Sequence, residues 1–324
     1  MGRASDFITR GDSVIIGRKG NINNPILMRE PFWNVDTAFG LEPNEEQLAV
    51  EYLYYFCEWF NFEKLNKAVT IPSLTKADLL EIAMPLPPLS AQKKFTSRIG
   101  LLDDLKSLLT DLERRLDDLV KSRFVEMFGG LEPQVPLASV CELFTDGDWI
   151  ESKDQSAEGI RLLQTGNIGS GFFRDKGDKA RYVSDGTFGR LQCKEVYSGD
   201  ILISRLPDPV GRACVVPSGL GRCITAVDCS IVRLRPEWSA PFVVWFTRTE
   251  AYETQIAAHL TGTTRKRISR SNLGKIKLPK ADQRKQQQFA DFVARVDKLG
   301  FDCCREIVCC GVLFSSMSAS LLCT

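Results

Sequence analysis

The sequence predicts a mixed α/β (α+β) protein of two similar modules, each with a mixed β-sheet, joined by long α-helices that pair with one another. Three observations predict it: an internal repeat, an uninterrupted leucine seam, and a series of short β-rich runs separated by glycine and aspartate turns. The repeat reads LLEIAMPLPPLSAQKKFTSRIGLLDDL from Leu79 to Leu105 and LGKIKLPKADQRKQQQFADFVARVDKL from Leu273 to Leu299. Leu79 matches Leu273, Ile82 matches Ile276, Pro85 matches Pro279, Gln92 matches Gln286, Phe95 matches Phe289 and Asp103 matches Asp297, always at an offset of 194. A domain-sized period means two modules and not a solenoid, and 324 residues suffice for about two domains.

The first module, residues 1–89, opens on GDSVIIGRKG (Gly11–Gly20), followed by NVDTAFGLEP (Asn34–Pro43) and VEYLYYFCEWF (Val50–Phe60). A long spacer helix is expected over residues 90–130. Phe95, Ile99, Leu102, Leu105, Leu109, Leu112, Leu116 and Leu119 recur at steps of three and four, an a/d seam that calls for a partner helix. Ser90 is the expected N-cap, and Gly129 and Gly130 end the helix, a rod of roughly 58 Å at 1.5 Å per residue. The second module, residues 135–280, runs from VPLASVCELF (Val135–Phe144) through IRLLQTGNI, GDILISRL, ACVVP and CSIVRLRP. It then reads as one helix over Phe242–Leu260.

GDILISRLPD and AVDCSIVRLRP are the counterparts of GDSVIIGRKG and NVDTAFGLEP, whereas nothing before Gly11 corresponds to Val135–Ser198, so the first module reads as truncated. The second spacer helix begins over residues 281–299, with Phe289, Val293 and Val296 on its seam. Residues 300–324, rich in cysteine and serine, read as an aberrant or degenerate tail.

Net charge is +1, apolar content 44% and charged content 26%, ordinary values for a globular chain. No window approaches the ~18 to 20 apolar residues of a membrane span, and the start lacks a signal-peptide core. The expected location is cytoplasmic, with no membrane association. Paired CxxC motifs are absent, which argues against structural zinc, and no metal site is expected. Charge is uneven: residues 1–89 carry 8 basic and 12 acidic side chains, residues 135–282 carry 21 and 17, and residues 260–282 carry 7 and 1. A polyanion should prefer the second module, above all that last segment.

Enzyme motifs are missing. There is no (Asp/Asn)-Pro-Pro-aromatic loop for amino methylation and no P-loop. Pro207-Asp208 is not followed by the Glu/Asp-x-Lys of a metal-dependent nuclease, since Glu151-Ser152-Lys153 precedes it. His259, the single histidine, falls in a predicted helix without a placed partner. No catalytic residue is assigned.

MPLPPLSAQKKF (Met84–Phe95) opening a leucine-rich helix, GDILISR (Gly199–Arg205) with its counterpart in the first module, TGNI (Thr165–Ile168) and TGTTRKRISRSNLGKIKLP (Thr261–Pro279) carry a resemblance. In their order and duplication they resemble the specificity (S) subunit of type I restriction-modification systems. The resemblance implies two target-recognition domains alternating with two helices that pack as an antiparallel coiled coil. Each domain would read half of a bipartite site in double-stranded DNA. It implies a non-catalytic subunit with no cofactor of its own, since S-adenosylmethionine, ATP and magnesium would be used by methyltransferase (M) and restriction (R) subunits. Pairing with a second S chain is an alternative assembly. A different class of reading is a silent, non-functional remnant serving only as a recombination donor.

Basic residues interspersed with small hydroxyls suit phosphate positioning and base-edge readout. Thr263, Thr264, Arg265, Lys266, Arg267, Ser269 and Arg270 supply both and are the first candidates for DNA contact. Arg205 and Arg212, flanking the turn after GDILIS, come second, followed by Gln164, Thr165 and Asn167.

Overall fold

A computed structural model describes residues 6–68, 70–262 and 265–300. Thr263, Thr264 and the tail from residue 301, on which sequence expectations fall, lie outside the described residues. The chain divides into two compact units, one up to Leu112 and one from Glu113.

The first unit holds β1 (Ser13–Gly17), β2 (Ile26–Met28) and β3 (Ala38–Leu41) in an antiparallel sheet of order β2-β1-β3. Helix α1 (Val50–Trp59) and the short α2 (Lys76–Leu80) follow. Val14 and Ile16 alternate along β1 onto one face, where they pack with Val50, Phe56, Phe62 and Leu74, as the period of two along a strand requires. Helix α3 (Leu89–Phe128) then runs for 40 residues, roughly 60 Å. Its first turn bonds to the Pro88 carbonyl, which accepts from the Ala91 and Gln92 amides, so Pro88 occupies the cap position and Ser90 is the second helical residue, within the first turn.

The second unit contains β4 (Pro133–Pro136), β5 (Cys141–Asp146), β6 (Gln155–Ser156), β7 (Ile160–Leu163), β8 (Arg181–Val183), α4 (Asp185–Leu191) and β9 (Glu195–Val196). Then come β10 (Ile201–Ser204), β11 (Ala213–Val215), β12 (Cys223–Thr225), β13 (Cys229–Leu234), α5 (Ala240–Phe246), α6 (Glu250–Ala258), α7 (Arg270–Leu273) and β14 (Lys277–Pro279). A last helix, α8, covers residues 283–300. The sheet β11-β10-β13-β5 is antiparallel, whereas β6-β8-β7-β12-β9 is mixed, with β12 parallel to β7. All four residues of β10 are buried because both its faces are covered: Ile201 and Ile203 meet the helices, and Leu202 meets the second sheet. The single helix expected over Phe242–Leu260 is two. It breaks at Thr247–Thr249, where the Thr249 hydroxyl accepts from the Tyr252 amide and starts α6 afresh.

The end of α3 and α8 pack antiparallel. Phe124 and Phe128 lie 5.3 and 5.7 Å from Phe289 between ring centroids, while Leu116, earlier on α3, lies near Gly300 at the far end of α8. Phe289, Val293 and Val296 are buried in this seam with Val120, Phe124 and Phe128. Ile99 is also buried, and Phe95 meets Tyr52 edge-on in the first unit. Two expected seam residues are corrected: Leu105 and Leu119 are 41% and 49% exposed. A helix of 3.6 residues per turn drifts off a strict 3.5 repeat, and the buried stripe passes through Val120 instead of Leu119.

The repeat has a physical basis in one glutamine. The buried Gln92 accepts from the Ala49 amide at 2.9 Å, at the start of α1, and donates to the carbonyls of Gln47 and Pro87. Gln286 does the same in the second unit, accepting from the Ser239 amide at 3.0 Å, at the start of α5, and donating to the Ala281 carbonyl. Each unit thus ties its own helix to the spacer helix by the same latch. Replacing Gln286 by leucine strands a partly buried amide and carbonyl and should destabilise the second unit by about 2 kcal/mol. Chemical denaturation with a probe in that unit checks it.

Candidate nucleic-acid interface

The basic segment is a closed loop rather than a stretch of coil. Thr261 and Arg267 exchange two backbone hydrogen bonds of 2.9 Å. Gly262 adopts φ +96°, and a Cβ there would come within 2.7 Å of the Arg265 carbonyl, so the tight return needs glycine. The loop leads into α7, whose N-cap Ser269 accepts from the Asn272 amide at 3.1 Å. Thr75 caps α2 in the same way through the Asp78 amide, at the same offset of 194.

Arg265, Lys266, Arg267 and Arg270 are all exposed, and among the described residues none of them enters an ion pair. Four unpaired cations within six positions make a phosphate-seeking surface. Lys266 also stands at the rim of a cleft of about 730 Å³ lined by Asp208, Arg248, Tyr252 and Glu253. Arg248 there is committed to a two-pronged ion pair with Asp117 at 2.7 and 2.5 Å.

The other sequence candidates do different work. Arg212 is buried, and its guanidinium donates to the carbonyls of Ile168, Leu206, Pro209 and Thr165 at 2.7 to 3.0 Å. Burial pulls its pKa below the ordinary arginine value, while the four carbonyls supply the acceptors that water would otherwise provide. With every branch of the fork engaged inside the fold, Arg212 is corrected from a DNA contact to an internal clamp.

Asn167 is likewise buried. Its Oδ1 accepts from the Gln164 amide and its Nδ2 donates to the Arg174 carbonyl, each at 2.9 Å. It closes the TGNI turn, a single 3₁₀ turn over Thr165–Asn167, while Gln164 and Thr165 remain partly exposed beside it. Arg205 donates to the carbonyls of Val227 and Ile268 and lies 3.3 Å from Asp146. The Arg205 carbonyl in turn accepts from the Ile268 amide. Arg205 therefore anchors the base of the basic loop from inside, a role that its sequence position beside a turn does not signal.

In the first unit only Lys76, at the position of Arg270, is basic among the matches of the four loop cations. Lys67 is paired with Asp78 at 2.6 Å, and Ser73 stands where the second unit has Arg267. The six cysteines at positions 57, 141, 193, 214, 223 and 229 are buried and unbridged. Burial pushes the thiols of Cys57, Cys141, Cys214 and Cys229 up to about 12, so none offers a thiolate at neutral pH. No helix among the described residues is long and apolar enough to cross a membrane.

Each unit combines small β-sheets with helices, and the second presents an exposed basic loop. Residues 1–121 match the family model of the type I restriction modification DNA specificity domain. Over those residues the chain is similar to that family's DNA specificity domain. It is 32% identical over 68 residues to a putative type I restriction enzyme MjaX specificity subunit of Methanocaldococcus jannaschii, a match covering 20% of this chain and 16% of that one. Among solved structures it resembles a chain of a type I R-M system studied for complex assembly and conformational transition. That likeness has a TM-score of 0.56 at 16% identity over 97% of this chain and 81% of the other. The type I S subunit from M. genitalium gives 0.55 at 15% identity, over 99% and 85%. At these identities the structural likeness is one of fold. The family model spans the first unit and most of α3, and the rest of the second unit lies outside it.

Proposed function

We propose that this chain is the non-catalytic DNA-recognition subunit of a type I restriction-modification complex. It directs methyltransferase and restriction subunits to double-stranded DNA through the loop at 261–270. The observation that carries the reading is that loop: four exposed cations with no acidic partner among the described residues, held by a closed backbone return and an internal arginine anchor. Phosphate contacts supply affinity and register, and arginine read against guanine supplies discrimination of ~1 to 3 kcal/mol per bidentate pair. S-adenosylmethionine, ATP and magnesium belong, in this reading, to the partner subunits.

The antiparallel pairing of α3 with α8 supports a spacer role, as the part of the family plan that sets the gap between two half-sites. The first unit contributes less phosphate binding, because Ile71, Pro72 and Ser73 stand where the second unit has Arg265, Lys266 and Arg267, and only Lys76 matches a cation, Arg270. Footprinting is expected to show strong protection over one half-site and weak protection over the other; equal protection would contradict this division. Co-purification with a methyltransferase subunit, with the complex mass measured, tests the assembly. One or two copies of this chain per complex support the reading, whereas failure to co-purify at all would refute it.

A further inference from the structure

The turn at 205–211, between β10 and β11, is held on several sides. The Arg212 guanidinium donates to the Leu206 and Pro209 carbonyls at 3.0 and 2.9 Å, and the Ser204 hydroxyl donates to the Leu206 carbonyl at 3.0 Å. The buried Tyr252 hydroxyl donates to the Gly211 carbonyl at 2.8 Å, and the Gly211 amide donates to the Ser204 carbonyl at 2.8 Å. Gly211 adopts φ +87°, and a Cβ there would meet the Ile256 and Tyr252 side chains at 3.0 Å, so the turn lies tight against α6. Arg205 joins it to the basic loop, since its guanidinium donates to the Ile268 carbonyl and its own carbonyl accepts from the Ile268 amide.

This rigid turn presents one charged group. Asp208 is exposed at its tip and lines the same cleft as Lys266. Among the described residues its carboxylate has neither a hydrogen bond nor an ion pair. The bonds that shape the turn end at backbone carbonyls and leave the carboxylate out. On a face whose four loop cations attract a polyanion, such a charge lowers affinity for phosphate. What it adds is an acceptor, which no cation supplies. Glu253, the other carboxylate lining the cleft, lies in the first turn of α6, where negative charge offsets the helix dipole.

We infer that Asp208 is a specificity-determining residue that accepts a hydrogen bond from the N4 amino group of a cytosine in the major groove, beside the contacts of the loop cations. The inference rests on the DNA-recognition reading above. Base chemistry selects the cytosine. A carboxylate can only accept, and guanine and thymine offer it acceptors. Adenine offers a donor beside the N7 acceptor, whose lone pair would face the second carboxylate oxygen, whereas cytosine offers its amino group alone.

The test challenges the full chain, assembled with a methyltransferase subunit, with duplex DNA of randomised sequence and sequences the bound fraction. Asp208→Asn keeps the size of the side chain but makes it both donor and acceptor, the pairing that suits adenine N6 and N7. At one cytosine of the selected motif its preference is expected to fall about fivefold or more, with adenine gaining and the other positions unchanged. Asp208→Ala should relax the same position without favouring adenine, and should bind unrelated DNA more tightly because a repulsive charge is gone. Glu253→Gln, which removes the same charge from the cleft, should leave the motif as it is. The inference is overturned if both Asp208 variants keep the parent motif, if they relax all positions alike, or if Glu253→Gln changes the same position. A parent complex that selects no motif overturns the DNA-recognition reading and this inference with it, whereas a parent motif that the Asp208 variants share overturns this inference alone.

Discussion

Replacing Arg265, Lys266, Arg267 and Arg270 together by alanine is expected to abolish specific DNA binding by the assembled complex while leaving the fold intact. All four side chains point to solvent and, among the described residues, hold nothing together. The backbone that shapes the loop, from the Thr261–Arg267 bridge to the Ser269 cap, does not depend on them. Each phosphate contact contributes about 0.9 to the slope of log K against log salt, so losing four would flatten the slope by up to ~3.6. Cations that read guanine would instead reduce discrimination, by ~1 to 3 kcal/mol each. Mobility shifts across a salt series separate the two, and an affinity and slope unchanged from the parent chain would refute the assignment of the loop. Single substitutions then divide the four: a phosphate contact lowers affinity for every sequence alike, and a base contact relaxes preference at one position.

Arg212→Ala is expected to be the most destabilising single polar substitution in the second unit, by about 3 kcal/mol or more. The truncation removes a buried charge and leaves the Ile168 and Pro209 carbonyls without the donor Arg212 supplied, while those of Thr165 and Leu206 keep the Ile168 amide and the Ser204 hydroxyl, at a cost of roughly 1 to 3 kcal/mol for each group left unsatisfied, in part relieved by entering water. The clamped carbonyls belong to the TGNI turn and to the turn after β10, so both should loosen together. Arg212→Lys should rescue little, because an ammonium cannot present the planar fork that reaches acceptors on several sides. Denaturant unfolding reads the loss, and hydrogen exchange at 164–168 and 205–211 reads the loosening. A variant as stable as the parent would show that the clamp contributes nothing. An opposite pattern for the loop cations, DNA binding lost with stability kept, would separate surface contact from internal support among arginines that look alike in sequence.

Much of the architecture was legible in the chain. The offset of 194 located two units, and the identical latches of Gln92 and Gln286 and the matching caps of Thr75 and Ser269 explain why that stretch does not slip. The helix end at Gly129 was legible for a local reason: a Cβ there would strike the Val125 carbonyl at 2.6 Å. The correspondence of GDSVIIG with GDILIS was legible only to within one residue. Val14 and Ile16 face the helices in the first unit, as Ile201 and Ile203 do in the second. The Arg18 amide bonds to Thr37 as the Arg205 amide bonds to Asp228, and the Arg18 carbonyl accepts from Leu74 as that of Arg205 accepts from Ile268. The structural partner of Asp12 is therefore Gly199. Asp12 takes Gly199's left-handed backbone, at φ 53°, and the matching Gly-Asp letters fall out of phase with the faces of the strand.

The sequence by itself determined the two-unit plan, the long helix and the position of the basic loop, because repeats, periodicity and local charge are properties of order along the chain. Only the tertiary structure decided which arginines face out. Arg205, Arg212 and Arg265 carry the same charge beside similar turns. Burial, and the carbonyls that burial brings within 3 Å of Arg212, turned it into a clamp. Arg205 became an anchor through contacts with residues up to 63 positions away, and Arg265 was left free. Contacts between residues distant in sequence are absent from local pattern, and they are what separate a side chain that holds the fold from one left free at the surface.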